Sequence, residues 1–340
     1  APFGTWLHAS LMQSSVQGVR IPPIRKAGGI FLLVVLLTTS ASSTLVLPTH
    51  SVSVLRGGMS SADINLLQDQ EHVESRITDE HVEFFRKNGY TVIDNFFGES
   101  CAHALREEIE QLATQARLKP NKIQFMCKGQ PCVFTKPNIF EGDMHDPSLR
   151  ADSPVLSALF SSDALPLAIS SCMPELRLAL GTSARTVKVQ VNNGFGACFP
   201  YHYDNPGRPN RRKVTCLLYL NPEWKEGDGG EIEILPFLEP PLRVAPLLDR
   251  LLLFASDAVL HRVLPSHVRR HCVTVWLDAE ASAVNSDSDV TLSFSRTQVE
   301  EDIEGVGAAL RNHPAARSVS RAVYADEYRE SLIDCMRRPK

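Results

Sequence analysis

A chain of 340 residues with an apolar share of 43% is long enough for one large domain or two small ones and can fill a full core. A formal net charge of −4 and a pI near 6.3 argue against a general polyanion binder, since nucleic-acid domains usually carry a basic excess on one face. The eight cysteines are an even count, compatible with an oxidising compartment. Cys127 and Cys132 are the expected local pair.

The chain opens on Ala1, as a processed start or one missing its initiator does. Arg20, Arg25 and Lys26 then precede the apolar run 30–37, and small residues follow at 38–44. That order predicts a secretory-type signal or, if the apolar run continues to Pro48, a membrane anchor. The implied location is the secretory pathway, the endoplasmic reticulum or another membrane-bounded organelle rather than the cytosol. Residues 1–48 are accordingly expected as signal or anchor, and the Ser-, Gly- and Gln-rich stretch 49–75 as a linker.

Thr78 is placed to cap a helix running to Asn88, with Val82 and Phe85 inward; Gly89 stops it and 90–94 reads as a strand. Ser100 is expected to cap a second helix in which Leu105, Ile109, Leu112 and Ala116 form one apolar stripe. Glu107, Glu108 and Glu110 fall mostly off that stripe and read as a solvated face. Segments 123–126 and 132–135 are expected to pair as short strands, and Ser153-Pro154 to open a helix toward Ile169.

From Thr186 the apolar period changes from 3.6 to 2, with Val187, Val189 and Val191 alternating with Lys188 and Gln190. Further strands are expected at 214–220, 231–235, 250–254, 259–263 and 272–277, separated by turn signals and without helices between them. This pattern predicts a mainly β domain with flanking helices, closed or built of two antiparallel sheets, over 76–280 with its core at 185–280. Helices 78–116 and 153–169 are expected to buttress one sheet. After a polar linker at 282–289, Val319, Val323, Tyr324, Tyr328 and Leu332 make a helical stripe able to dock on the core, in an extension spanning 281–340.

The chemistry is concentrated in 199–277. His202 and Asp204 are two apart, so on an extended segment both project to one face, where an imidazole and a carboxylate can grip one metal ion. A His-x-Asp triplet alone is weak, and His261 alone reads more often as a structural histidine. Arg270, nine residues beyond His261, makes the set specific. Two His and one carboxylate leave three adjacent octahedral positions open, which suits Fe(II) holding a co-substrate and O2. Arg270 shares one strand face with Cys272, Thr274 and Trp276 and needs a carboxylate partner there. Its neighbour Arg269 is the competing anchor, while His267 and His271 are decoys.

The stretch resembles the Fe(II)/2-oxoglutarate dioxygenases, in the prolyl 4-hydroxylase branch and nearest the hypoxia-inducible-factor prolyl hydroxylases. The residues that carry the likeness are 202–206, His-Tyr-Asp-Asn-Pro; 214–221, Val-Thr-Cys-Leu-Leu-Tyr-Leu-Asn; Gly229-Gly230; 249–254, Asp-Arg-Leu-Leu-Leu-Phe; and 273–276, Val-Thr-Val-Trp. The resemblance implies a double-stranded β-helix (jelly-roll, cupin-like) core, Fe(II) on His202, Asp204 and His261, and 2-oxoglutarate and O2 as co-substrates. It also implies ascorbate as reductant and a proline-containing protein or peptide as substrate. Arg270 matches the family's co-substrate anchor and Tyr219 the tyrosine that hydrogen-bonds the same carboxylate, with Leu217 and Thr274 lining the pocket. Asn192 is a departure, standing where close relatives carry a tyrosine that faces the co-substrate. The alternatives are an oxygenase of non-prolyl or small-molecule substrates, a non-catalytic β-helix binding module, and a nucleic-acid demethylase, which the charge balance disfavours.

Overall fold

The structure, a computed structural model, describes residues 61–127, 129–207, 209–284, 295–311 and 313–337. The expected signal or anchor at 1–48 and the first part of the linker lie outside them. The last part of the expected linker is helical instead: α1 (Ser61–Gln68) and α2 (Gln70–Ser75) bury Leu67 and Val73. Thr78 caps α3 (Asp79–Asn88) in a capping box with His81, and Gly89 closes it at a φ of 79°. Next come β1 (Tyr90–Ile93) and α4 (Glu99–Thr114), whose N-cap is Gly98 and not Ser100. Gly98 has no side chain to offer, so the buried carboxylate of Asp249 does the capping, accepting from the amides of Phe97 at 2.9 Å and Gly98 at 2.7 Å.

The expected short hairpin is long, pairing β2 (Lys119–Cys127) with β3 (Gln130–Asp143). Its register sets Cys127 against Gln130 and Cys132 against Phe125, so the two cysteine positions are not cross-strand partners. After α5 (Pro147–Ala151), the single helix expected from Pro154 is broken into α6 (Pro154–Ser161) and α7 (Ala164–Cys172). The break falls at Ser162-Asp163, whose carbonyl and carboxylate are taken by the buried Arg185 guanidinium. No single helix among the described residues is long and apolar enough to cross a membrane.

The remaining strands are β4 (Arg185–Asn192), β5 (Ala197–His202), β6 (Arg212–Tyr219), β7 (Ile232–Ile234), β8 (Leu242–Val244), β9 (Arg250–Ala255), β10 (His261–Ser266) and β11 (Arg270–Asp278). They form a seven-stranded sheet ordered β1-β9-β6-β11-β4-β3-β2 and a four-stranded sheet ordered β5-β10-β7-β8, antiparallel throughout. This is the two-sheet jelly-roll core expected from the period-two pattern. Alternation divides the large sheet cleanly. Val187, Val189, Leu218, Leu253 and Val273 pack with Leu105, Ile109 and Leu112 of α4 in the main core, while Leu217, Tyr219, Leu252, Phe254 and Cys272 face Ile232 and Ile234 of the small sheet.

The C-terminal extension follows α8 (Ala281–Val284), α9 (Arg296–Glu301) and α10 (Ile303–Arg311) with α11 (Pro314–Val323) and α12 (Ala325–Arg337). Tyr324 and Tyr328 pack on Tyr201, Tyr203, Leu235 and Leu260. Val319 and Val323, expected in the same stripe, are exposed because the helix breaks at Tyr324. Cys198 of β5 and Cys335 of α12 bring their sulfurs to 2.6 Å.

Asp249→Asn keeps a residue that tolerates the φ of 55° at this position but turns one acceptor into a donor facing the buried amides. A loss of about 1–3 kcal/mol is expected, read as a lower urea midpoint at unchanged slope.

Candidate metal and co-substrate site

A cavity of about 370 Å³ opens between the two sheets. His202 ends β5 and His261 begins β10, and the two are direct partners across the antiparallel pair. Asp204 lies two residues past the end of β5 and is 9% exposed. Its Oδ1 stands 3.5 Å from His202 Nε2 and 3.9 Å from His261 Nε2, and the three ligand atoms lie within 4.8 Å of one another. Each ring is oriented from behind. His202 Nδ1 sits 2.8 Å from the Pro200 carbonyl and His261 Nδ1 3.2 Å from that of Val259. A carbonyl only accepts, so both protons reside on Nδ1 and both Nε2 lone pairs face the cavity.

Asp204 is tied equally firmly. Its Oδ2 accepts from Thr215 Oγ1 at 2.8 Å, and Thr215 is 2.8 Å from Ser256 Oγ. The single Thr215 proton goes to the carboxylate, so Ser256 donates to Thr215 and Oδ1 is left for a cation. Burial opposes the Asp204 charge, yet the facing His261 and His202 hold its carboxyl well below the usual range. Burial, with His202 adding to it, pushes the His261 imidazole down to about 4, which keeps it neutral. Two neutral imidazole nitrogens and one carboxylate oxygen on one face match the donor set of a non-haem Fe(II).

A bulge in β5 makes this possible. Between Val263↔Phe199 and His261↔His202 the strand carries one extra residue, with Pro200 inside the irregular stretch. The bulge reverses the side-chain alternation, so Phe199 and His202 both line the cavity. Strict alternation would have separated them.

Arg270 lies deeper, 2% exposed, with its guanidinium carbon 5.0 Å from the centre of the Tyr219 ring. Its Nη1 reaches only Cys272 Sγ at 3.5 Å; Nε, Nη2 and the Tyr219 hydroxyl are buried without a hydrogen-bond partner. Gly230 leaves room for the arginine's stem, and Gly229 for the backbone beside it. A Cβ on Gly230 would sit 3.0 Å from Arg270 Cδ, and one on Gly229 only 2.0 Å from the Pro265 carbonyl oxygen. Leu217 and Thr274 are register neighbours that line the cavity. Arg269 points to the helix side, where Glu110 takes it at 2.7 Å, and buried His271 meets the same carboxylate at 2.7 Å.

Of the three glutamates expected on a solvated face, Glu107 is exposed, but Glu108 and Glu110 are engaged. Glu108 is buried and accepts from the amides of Val155 and Leu156, capping α6, while Glu110 binds Arg269, just before β11, and His271 within it. Asn192 turns out to serve the β4–β5 turn: its Oδ1 accepts from the Gly194 amide at 2.9 Å and its Nδ2 donates to the Ala197 carbonyl at 3.1 Å. Residues missed in the sequence include Thr215, Ser256 and Lys136. Thr215 stood in the Val-Thr-Cys motif, but nothing local announced that its hydroxyl would meet Asp204.

The family model described as the 2OG-Fe(II) oxygenase superfamily matches residues 187–278, the span of the site. The chain belongs to this superfamily, whose members use Fe(II) and 2-oxoglutarate. It is similar to prolyl hydroxylase EGLN3 of Homo sapiens, with 30% identity over 205 residues, 57% of this chain and 81% of that protein. Egl nine homolog 1 of Rattus norvegicus is 25% identical over 227 residues, 64% of this chain and 65% of that protein. A solved prolyl 4-hydroxylase structure from Phytophthora capsici superposes with a TM-score of 0.68 at 44% identity, covering 79% of this chain and 84% of that one.

Thr215→Val removes the donor to Asp204 Oδ2 while keeping the shape of the side chain. Metal affinity, measured by calorimetric titration with Mn(II), is expected to fall about ten- to hundred-fold.

Proposed function

We propose that the chain hydroxylates prolyl residues of a protein or peptide. In this reading His202 Nε2, Asp204 Oδ1 and His261 Nε2 hold Fe(II), and Arg270 with Tyr219 anchors the far carboxylate of 2-oxoglutarate. The observation that carries it is the pair of buried, unpartnered groups at the cavity's inner end. Three polar atoms of Arg270 and Tyr219 without partners are costly unless a ligand satisfies them, and a carboxylate fits a guanidinium fork beside a phenol. The prolyl substrate is supported by the names of the similar proteins, prolyl hydroxylase EGLN3 and the prolyl 4-hydroxylase of Phytophthora capsici.

When bound, Fe(II) with 2-oxoglutarate and O2 supplies the oxidising chemistry, the decarboxylation to succinate coupled to hydroxylation of a C–H bond. The chain's own residues bind and orient. Arg270 would fix one end of the co-substrate, so that its other end could reach a metal held by His202, Asp204 and His261 in a single pose. Leu217 and Phe254 form apolar walls that keep water from the anchor.

Arg270→Ala is expected to raise the KM for 2-oxoglutarate about ten- to hundred-fold, the worth of a charge-assisted pair. Steady-state succinate release checks this, and an unchanged KM would remove Arg270 from the role. For the substrate, purified protein with Fe(II), 2-oxoglutarate and a set of proline-rich peptides is expected to yield peptides one oxygen heavier, with the oxygen on proline by fragmentation mass spectrometry. Oxygen found only on other residues would contradict the prolyl reading.

A further inference from the structure

Opposite the Arg270 end, the cavity holds a cation that the chemistry above leaves unused. Lys136 of β3 is 7% exposed, and its Nζ lies 3.7 Å above the centre of the Phe199 ring. That ring in turn stacks 6.3 Å from His202, so the ammonium stands on the metal side of the cavity. A lysine so deeply buried ordinarily has a carboxylate partner. This one makes no hydrogen bond or ion pair among the described residues. The acid of its own wall, Glu141, is already engaged, accepting from Lys188 Nζ at 2.9 Å through one oxygen and from Asn121 through the other. Arg212 is also accounted for, lying 4.1 Å from the Trp276 ring and donating to the Asp204 carbonyl at 3.2 Å.

Burial pushes the Lys136 ammonium down to about 7 even with Glu141 opposing the shift, the behaviour of a desolvated charge without a direct partner. In the reading above the two carboxylates of 2-oxoglutarate are assigned to the metal and to Arg270, which leaves Lys136 for a group carried by the substrate.

We propose that Lys136 reads a carboxylate carried by the substrate beside the residue to be hydroxylated, which makes the substrate class an acidic prolyl peptide. The inference rests on the prolyl reading above and adds the flanking charge. A substrate with a neutral flank leaves the buried ammonium unpaired, and a site built for a polar partner discriminates strongly against analogues that lack it.

The test uses labelled peptides of one sequence, amidated at the C-terminus, with Glu or Gln immediately before or immediately after the prolyl residue. A further pair differs only in a free or amidated C-terminus one residue after the prolyl. Dissociation constants are measured by fluorescence anisotropy on protein loaded with Mn(II) and 2-oxoglutarate. Wild-type protein is expected to prefer the carboxylate member of at least one pair by about ten- to hundred-fold. Which pair responds separates an acidic side chain from a terminal carboxylate. Lys136→Gln should bring that ratio within about two-fold, and Lys136→Glu should favour a Lys-bearing peptide at the same position. Because each ratio is internal to one protein, a partly unfolded variant does not imitate the result. Equal ratios in wild type and Lys136→Gln, or no preference in any pair, overturn the proposal. Mass spectrometry on the same peptides with Fe(II) scores the prolyl reading separately. Preference without prolyl hydroxylation defeats that reading, and hydroxylation without preference defeats the carboxylate one.

Discussion

His202 and His261 face each other across the antiparallel pair of β5 and β10, and the rest of the site depends on that register. A slip of one residue would turn the histidines to opposite faces of the small sheet. The bulge at Pro200 fixes the register on one side, and the pairing of β10 with β7 fixes it on the other. With the two imidazoles set, Asp204 completes the triangle because Thr215 of the large sheet holds its second oxygen. The two sheets are thus joined at the ligand set itself.

Energetics separate the groups kept for stability from those kept for binding. Arg269 and Glu110 form a half-exposed pair, of the sort worth about 0–1 kcal/mol. Arg270, one residue on, is buried with two nitrogens unpartnered, and an uncompensated buried charge costs several kcal/mol. Nothing in the packing of the chain requires that expense, whereas a dicarboxylate co-substrate bound as proposed would remove it. Lys136 differs in resting its ammonium on the Phe199 ring. Lys136, Arg270 and the three metal ligands thus line one cavity.

Much of this was legible in the sequence because it is local. The period-two runs located most strands of both sheets, Thr78 and Gly89 bounded α3, and the His-x-Asp spacing with His261 and Arg270 named residues that the fold brings into one cavity. What escaped was set by tertiary contact. The carboxylates of Glu108 and Glu110 looked solvated from helical periodicity, yet each meets a group more than forty positions away. Ser100 looked like a cap, but Asp249 supplies the acceptor from across the core. β5 was overlooked as a strand because its bulge and proline break the alternation, and β8 is only three residues long. Lys136 lay in a segment too polar to suggest a buried wall.

The most direct measurement is a crystal structure of the protein with Mn(II) and 2-oxoglutarate, the metal standing in for Fe(II) without turnover. The account predicts one ion bound by His202 Nε2, Asp204 Oδ1 and His261 Nε2, with the far carboxylate of 2-oxoglutarate on Arg270 and the Tyr219 hydroxyl and no co-substrate atom on Lys136. An ion held by other residues, or a co-substrate whose carboxylate sits on Lys136 while Arg270 remains unpartnered, would contradict it.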